Sequence, residues 1–444
     1  MEKEKIIQYI ESNDLPALKK YLVNLHSADI SECLDDLPKE DVAVVFRLLD
    51  KDAATNVFSR MESDTQEKLV SILSDQEIGD VVNKLFVDDA VELVSEMPAN
   101  LVTRILKNTD SSKRRYINAI LQYPEDSAGS LMTIEYEDIY VNMTVKDAFD
   151  RIRKTGLGKE TIYILYVLDE GRHLKGVVTV RKLLLSEMDT KIVDIMETNV
   201  VTINTHLDRE SAARMFDKYD YIAMPVVDSE NRMVGIITID DALDVMSEEN
   251  EEDFEIMAAM SPSEDSYFKT SVWDHTKHRI MWLLFLMLSA VMTGTILNHY
   301  EDAFASIPIL VSFIPMIMDT GGNCGSQSST MIIRGLATGE IELRDVLKVW
   351  FKEARIGILV GSILAVVNGI RIVLQYQNIS LAIVTGLTLM FTVILAKSLG
   401  CLLPMAAKKL KLDPAIMASP LITTVVDTAS MLIYFNVAVA LLNI

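Results

Sequence analysis

The stretch Pro315 to Gly335, PMIMDTGGNCGSQSSTMIIRG, decides how this chain is read, because it lies within an apolar hairpin and yet carries Asp319, Asn323, Ser326, Gln327 and Thr330. Asp319, Asn323, Ser326 and Thr330 are spaced by four, three and four residues, which puts them on one face of a helix turning ~100° per residue. An ionisable side chain at membrane depth costs about 2.5–3.5 kcal/mol to insert, so it faces a water-filled path or a bound ion. The glycine pairs Gly321/Gly325 and Gly357/Gly361 have the four-residue spacing of close helix packing. Pro315 and Gly321-Gly322 are also expected to loosen the helix and turn carbonyls toward the path.

Outward from this stretch, five segments are long and apolar enough to cross a bilayer of ~30 Å: about 279–298, 306–333, 354–374, 381–403 and 414–442. Basic residues collect at Lys277 and Arg279, between Arg334 and Arg355, and at Lys408, Lys409 and Lys411. The alternate connections, 299–305 and 375–380, carry none. The positive-inside rule then places the N-terminus in the cytosol and Ile444 outside. The start, MEKEKIIQYIESND, has no apolar core of a signal peptide. Lys397 is expected to snorkel to the interface.

The last span carries a second polar face: Ser419, Thr423, Asp427, Ser430 and Tyr434 are spaced by four, four, three and four residues. Asp413 stands at its cytosolic entrance, and Asp427 lies ~21 Å deeper on nearly the same face. Oxygen ligands without thiolate or imidazole favour hard divalent cations, Mg²⁺ above all. The candidate pore ligands are Asp427, Asp413, Asn323, Asp319, Gln327 and Thr423, with Asp427 the expected selecting carboxylate and Asp319 a mouth residue.

The charge is unevenly spread. Of 42 Lys and Arg and 64 Asp and Glu, residues 271–444 hold 12 and 10, leaving 30 against 54 in residues 1–270. So acidic a front part repels nucleic acid and attracts cations. Three cysteines far apart suggest neither a disulfide framework nor a metal site. Neither a nucleophile–base pair nor a phosphate loop is visible, so no enzyme is expected.

Residues 1–126 read as short amphipathic helices in tandem, punctuated by Pro16, Pro38 and Pro98 and by cap residues such as Ser74, which suggests a wound helical stack. Residues 127–248 contain a repeat. Leu131-Met132-Thr133 and Gly176-Val-Val-Thr-Val180 are echoed by Ile195-Met196-Glu197 and Gly235-Ile-Ile-Thr-Ile239, and each copy offers two strand-like runs flanked by helices. The first copy has a five-residue excess, read as a loop at Thr155-Gly-Leu-Gly-Lys159. This part resembles a tandem pair of CBS domains. Asp240, Asp241 and Asp244 follow, then the run Glu248, Glu249, Glu251, Glu252, Asp253 and Glu255 on a connecting helix within 249–277, before a membrane domain over 278–444.

Tyr123-Pro-Glu-Asp-Ser-Ala-Gly129, Thr320-Gly-Gly-Asn-Cys-Gly-Ser-Gln327 and Asp413-Pro-Ala with Pro420 and Asp427 resemble, in that order, the MgtE-type magnesium channels and transporters. The resemblance covers almost the whole chain. It implies a multidomain membrane protein: an all-α superhelical N-domain, an α/β CBS pair and five transmembrane helices, assembled as a homodimer in the bilayer of the cell membrane. The second and fifth spans of both copies would line one pore for Mg²⁺ moving down its electrochemical gradient. A plug-like connecting helix would close that pore when cytosolic Mg²⁺ bridges acidic faces. Asp88, Asp89 and Glu92 in the N-domain, Asp240, Asp241 and Asp244, and the run from Glu248 to Glu255 are the candidate bridging groups. Two departures stand out. Arg181-Lys182 replaces the Arg-Asp of relatives that bind ATP, which leaves Asp240 of the second copy as the candidate ribose ligand. Ser326 and Ser419 stand where some relatives carry Asn. The alternatives are transport of other divalents such as Co²⁺ or Mn²⁺, an ion-coupled exchanger, and a membrane-anchored sensor of cations or nucleotides that does not conduct.

Overall fold

The computed structural model describes residues 2–263, 267, 270–300 and 307–442. Ile444 and most of the connection 299–305 lie outside these residues. The chain divides into two compact units, 1–247 and 248–444.

The first unit begins with ten short helices, α1 (Glu2–Glu11) to α10 (Ser111–Ile120). Contacts between helices two apart dominate, as in α3 with α5, α5 with α7 and α7 with α9, while α1 packs chiefly against α2, so a continuous stack forms instead of a closed bundle. Local sequence sets their ends. Ser74 and Glu77 form a reciprocal capping box, Asp14 and Asp50 accept N-terminal amide hydrogens, and Pro16, Pro38 and Pro98 sit at or next to helix starts, where a missing N–H costs nothing. Short α11 (Ala128–Leu131) opens the repeat.

The first copy then runs β1 (Tyr136–Tyr140), α12 (Val145–Thr155), β2 (Thr161–Leu168), β3 (Leu174–Thr179), α13 (Val180–Leu184). Short α14 (Ile192–Ile195) opens the second copy: β4 (Ile203–Asn204), α15 (Arg209–Tyr219), β5 (Ala223–Val227), β6 (Met233–Thr238) and α16 (Ile239–Met257). In each three-stranded sheet the first strand is parallel to the second and the second antiparallel to the third. The repeated motifs explain one another. Thr133 of the first copy bridges Ile236 of the second, and Glu197 of the second bridges Val177 of the first. A Cβ at Gly235 would stand 2.6 Å from the Thr133 carbonyl, and one at Gly176 2.6 Å from that of Glu197, so both positions exclude side chains. Apolar side chains of the N-domain and the second copy form one core, including Ile105, Met132, Phe216, Met224 and Ile237.

The second unit holds the end of α16, then α17 (Val272–His299), α18 (Ile314–Ala337), α19 (Val346–Tyr376), α20 (Ile379–Lys409) and α21 (Ser419–Leu442). The expected connecting helix over 249–277 differs in the structure. The acidic run continues α16 without a break, and that helix stops at Met257, where Ala259 takes a left-handed conformation at φ 56°. Among the described residues, four segments are long and apolar enough to cross a membrane: Val272–His299, Leu343–Tyr376, Ile379–Lys409 and Pro414–Leu442. The expected second span corresponds to α18, whose polar stripe keeps it out of that set although its 24 residues are ~36 Å long. The loosened backbone expected around Pro315 and Gly321-Gly322 is absent. Pro315 lies in the first turn, where no amide partner is lost, and α18 runs unbroken.

Candidate metal centres

In the membrane unit, α18 is held between α20 and α21 by its glycines. A Cβ at Gly321 would meet Thr392, Ser430 and Val426 within 2.9 Å, one at Gly322 would meet Thr423 at 2.9 Å, and one at Gly325 would meet Ile422 at 2.6 Å. With that face packed, the opposite face of α18 is left open: Asp319, Asn323, Gln327 and Thr330 are exposed, and Ser326 is partly so. The spacing was legible; the structure moves its centre toward Gln327.

The contacts of Gly321 and Gly322 bring Asp319 to within about one turn of Asp427 in depth, close enough for their charges to repel. Asp319 is therefore near the level of Asp427, deeper than the sequence placed it. Asp427 and Thr423 are both partly exposed, and the Thr423 hydroxyl donates to the Pro420 carbonyl at 2.9 Å. Ser430 and Tyr434 leave the expected stripe. Both are fully buried although they share the face of Asp427: Ser430 lies against Gly321 of α18, and Tyr434 donates to the Leu310 carbonyl at 2.8 Å. Asp413 accepts the Ala415 N–H at 2.8 Å, which makes it the cap of the turn Pro414–Met417 before α21.

Neither basic residue of the region neutralises Asp427. Arg371 donates to Asn368 at 3.1 Å, and Lys397 does not snorkel: it is 5 % exposed and reaches Ser328 and Glu353. Ile256 and Met257 of α16 pack against Ile333, Ala415 and Ala418, so the end of that helix is seated where α18 ends and α21 is about to begin.

The second centre lies in the first unit. Asp88 and Asp89 open α8 (Val87–Glu96), Asp240, Asp241 and Asp244 open α16, and Glu160 precedes β2. Burial raises all of these that shift, and their mutual repulsion adds to it. Asp88 lies well above the usual carboxylate range, Asp89 is pushed up to about 6, Asp241 to about 7, Glu160 to about 8, and Asp244 upward. Lys113 is close, but burial lowers its affinity for a proton and its amine serves the carbonyls of Asn83 and Leu85. One oxygen of Glu160, Oε2, is buried without a hydrogen-bond partner.

A field of half-buried carboxylates with an orphaned oxygen fits a cation. Among the described residues, no three His, Cys, Asp or Glu side chains are grouped closely enough to hold a bare metal ion. Sequence reading missed Glu160, for which the signal was the five-residue excess that ends at Lys159, and Glu135, which accepts from the Thr133 hydroxyl at 2.8 Å and the Val87 N–H at 3.4 Å and adds to the repulsion on Glu160. Glu92 is exposed one turn beyond Asp88. Glu248, Glu249, Glu251, Glu252 and Asp253 lie on the part of α16 that belongs to the other unit, and Glu255 accepts the Ser263 N–H at 2.8 Å. Asp240 is among the carboxylates that repel Asp89, Glu160 and Asp241, so a phosphate-bearing ligand there would meet like charge.

Comparison with known proteins agrees with this architecture. A family profile described as "MgtE: Divalent cation transporter" matches residues 314–437, one for the MgtE intracellular N domain matches 25–126, and CBS domains match 128–188 and 192–248. The magnesium transporter MgtE of Thermus thermophilus is 34 % identical over 437 residues, 98 % of this chain and 97 % of that protein. The magnesium transporter MgtE of Bacillus subtilis is 32 % identical over 439 residues, 99 % of this chain and 97 % of its own length. A crystal structure of the cytosolic domain of the Mg²⁺ channel MgtE in complex with ATP superposes with a TM-score of 0.52 at 34 % identity, covering 55 % of this chain and 99 % of that one.

Proposed function

The chain belongs to the MgtE family of divalent cation transporters, and from that premise we propose that it passes Mg²⁺ through the membrane along the polar faces of α18 and α21 and closes when cytosolic Mg²⁺ is high. The observation that carries the permeation reading is Asp427: the single charged side chain of α21, within electrostatic reach of Asp319 and with no cationic partner among the described residues. Two carboxylates ~4 Å apart repel by about 4 kcal/mol at an effective dielectric of ~20. A divalent cation relieves that repulsion, and Asn323, Gln327 and Thr423 offer the neutral oxygens that can replace part of its water.

A face bearing Asp319, Asn323 and Gln327 cannot lie against lipid. A second copy of the chain, opposing its own stripe, completes a water-filled path, so the working unit is a homodimer. The N-terminal unit is cytosolic by the distribution of basic residues, and α21 ends on the far side.

The gate rests on the acidic cluster. When Mg²⁺ occupies it, the N-domain, the CBS pair and the start of α16 are held together; when Mg²⁺ leaves, the carboxylates push apart and shift the equilibrium toward opening. The seat of Ile256 and Met257 on Ile333, Ala415 and Ala418 is the contact through which a moving α16 would free the inner ends of α18 and α21. Purified protein in liposomes, tested with each ion in turn, separates the readings. Mg²⁺ flux without need of a co-ion supports a channel, and flux that requires a proton or sodium gradient means coupled exchange. Absence of flux with intact Mg²⁺ binding to residues 1–270 means a sensor.

A further inference from the structure

The glycine-lined faces that let α18 approach its neighbours also leave it without interlocking side chains, so close packing alone does not stop the helix from turning or sliding. Three polar side chains outside the pore supply directional contacts. Lys397 of α20 donates from Nζ to the Ser328 hydroxyl at 3.1 Å and to the Cys324 carbonyl at 3.5 Å, one turn apart on α18. Ser328 donates in turn to Glu353 Oε2 of α19 at 2.5 Å, and the Lys397 amine stands 3.9 Å from the same oxygen. The network is almost shut off from the surface: Lys397 is 5 % and Ser328 2 % exposed. Beside it, the α18 and α20 backbones touch, since a Cβ at Gly400 would collide with the Gly325 carbonyl.

We propose that Lys397, Glu353 and Ser328 are positioning residues that fix the rotation of α18, and so hold Asn323 and Gln327 toward the ion path; the transport part of this inference rests on the proposed function. Cys324 and Ser328, which the amine grips, each follow immediately after Asn323 and Gln327, so the bonded turn is the one that presents the path-facing oxygens. A buried ion pair is no more stabilising than well-packed apolar residues of the same volume, whereas removing one partner leaves a buried charge unpaired. The benefit of the charged version is direction: an apolar trio would fill the space at any rotation.

The test uses the full-length protein, with its three cysteines replaced by alanine and single cysteines placed in turn at residues 326, 327, 329, 330 and 331, so that Ser328 stays in place. Reactivity toward a water-soluble thiol reagent is read in two backgrounds, the native network and the volume-conserving double variant Lys397→Met with Glu353→Met, which leaves no unpaired charge and is expected to fold. Native protein should react most strongly at 327, 330 and 331. In the double variant that pattern should shift by at least one position, and Mg²⁺ flux relative to Ca²⁺ flux should fall by about tenfold, the change that ~1.4 kcal/mol of lost discrimination produces. An unchanged reactivity pattern in a folded double variant overturns the proposal. A shifted pattern in protein that carries no Mg²⁺ even with the native network sustains the positioning role and overturns the transport reading.

Discussion

In the proposed function, permeation turns on Asp427. Asp427→Ala should reduce Mg²⁺ uptake to background in a host that depends on added Mg²⁺, while the protein still reaches the membrane; unaltered growth rescue would remove Asp427 from the path. In the acidic cluster of the first unit the sign of the pH effect follows from the carboxylates. Asp89, Asp241 and Glu160 hold their protons in the folded protein up to about 6, 7 and 8, against ~4 in an unfolded chain. A raised carboxylate stabilises the fold while protonated, so this contribution is complete below ~4 and is lost as pH rises through 6 to 8. With a chelator present, residues 1–270 should melt several degrees lower at pH 8.5 than at pH 5, and Mg²⁺ should restore most of the difference at the higher pH. Equal melting at both pH values in chelator would mean that the cluster is not under electrostatic strain.

Among the elements, α18 and α16 carry the argument. The backbone contact at Gly400 and the 2.6 Å approach of a Gly325 Cβ to Ile422 leave no space for a methyl group, whereas a Cβ at Gly369 meets nothing within 4 Å. Gly400→Ala and Gly325→Ala should each destabilise the detergent-solubilised protein by about 1–3 kcal/mol, with Gly369→Ala close to neutral, as thermal unfolding would record. The seat of α16 predicts a different outcome. Met257→Asp replaces an apolar contact with Ile333, Ala415 and Ala418 by a charge, and should raise Mg²⁺ uptake at high internal Mg²⁺, where the proposed gate shuts the unaltered protein. Lower uptake, or none of the expected increase, would show that the seat does not close the path.

For the molecule as a whole, the acidic balance of residues 1–270 is the quantity that matters, because many weak repulsions act on one docked arrangement. Scattering from that fragment should show a smaller radius of gyration in ~10 mM Mg²⁺ than in chelator. Profiles that superpose under the two conditions would refute the Mg²⁺-sensing scheme while leaving permeation untouched.

By itself the sequence determined the order and class of the parts: tandem short helices from proline and cap spacing, paired repeats from the echo of Gly176-Val-Val and Gly235-Ile-Ile, and apolar spans interrupted by one polar stripe. These are local or periodic signals, and a periodic signal survives without knowledge of neighbours. What the tertiary structure decided was which faces meet. Ser430 and Tyr434 fit the stripe by spacing and yet are buried, Lys397 finds Glu353 instead of the interface, and Glu160 joins Asp88 and Asp241 from far along the chain. Each of these outcomes depends on residues distant in sequence approaching within a few ångströms, and a one-dimensional pattern contains the helix face but not the side chain that will be packed against it.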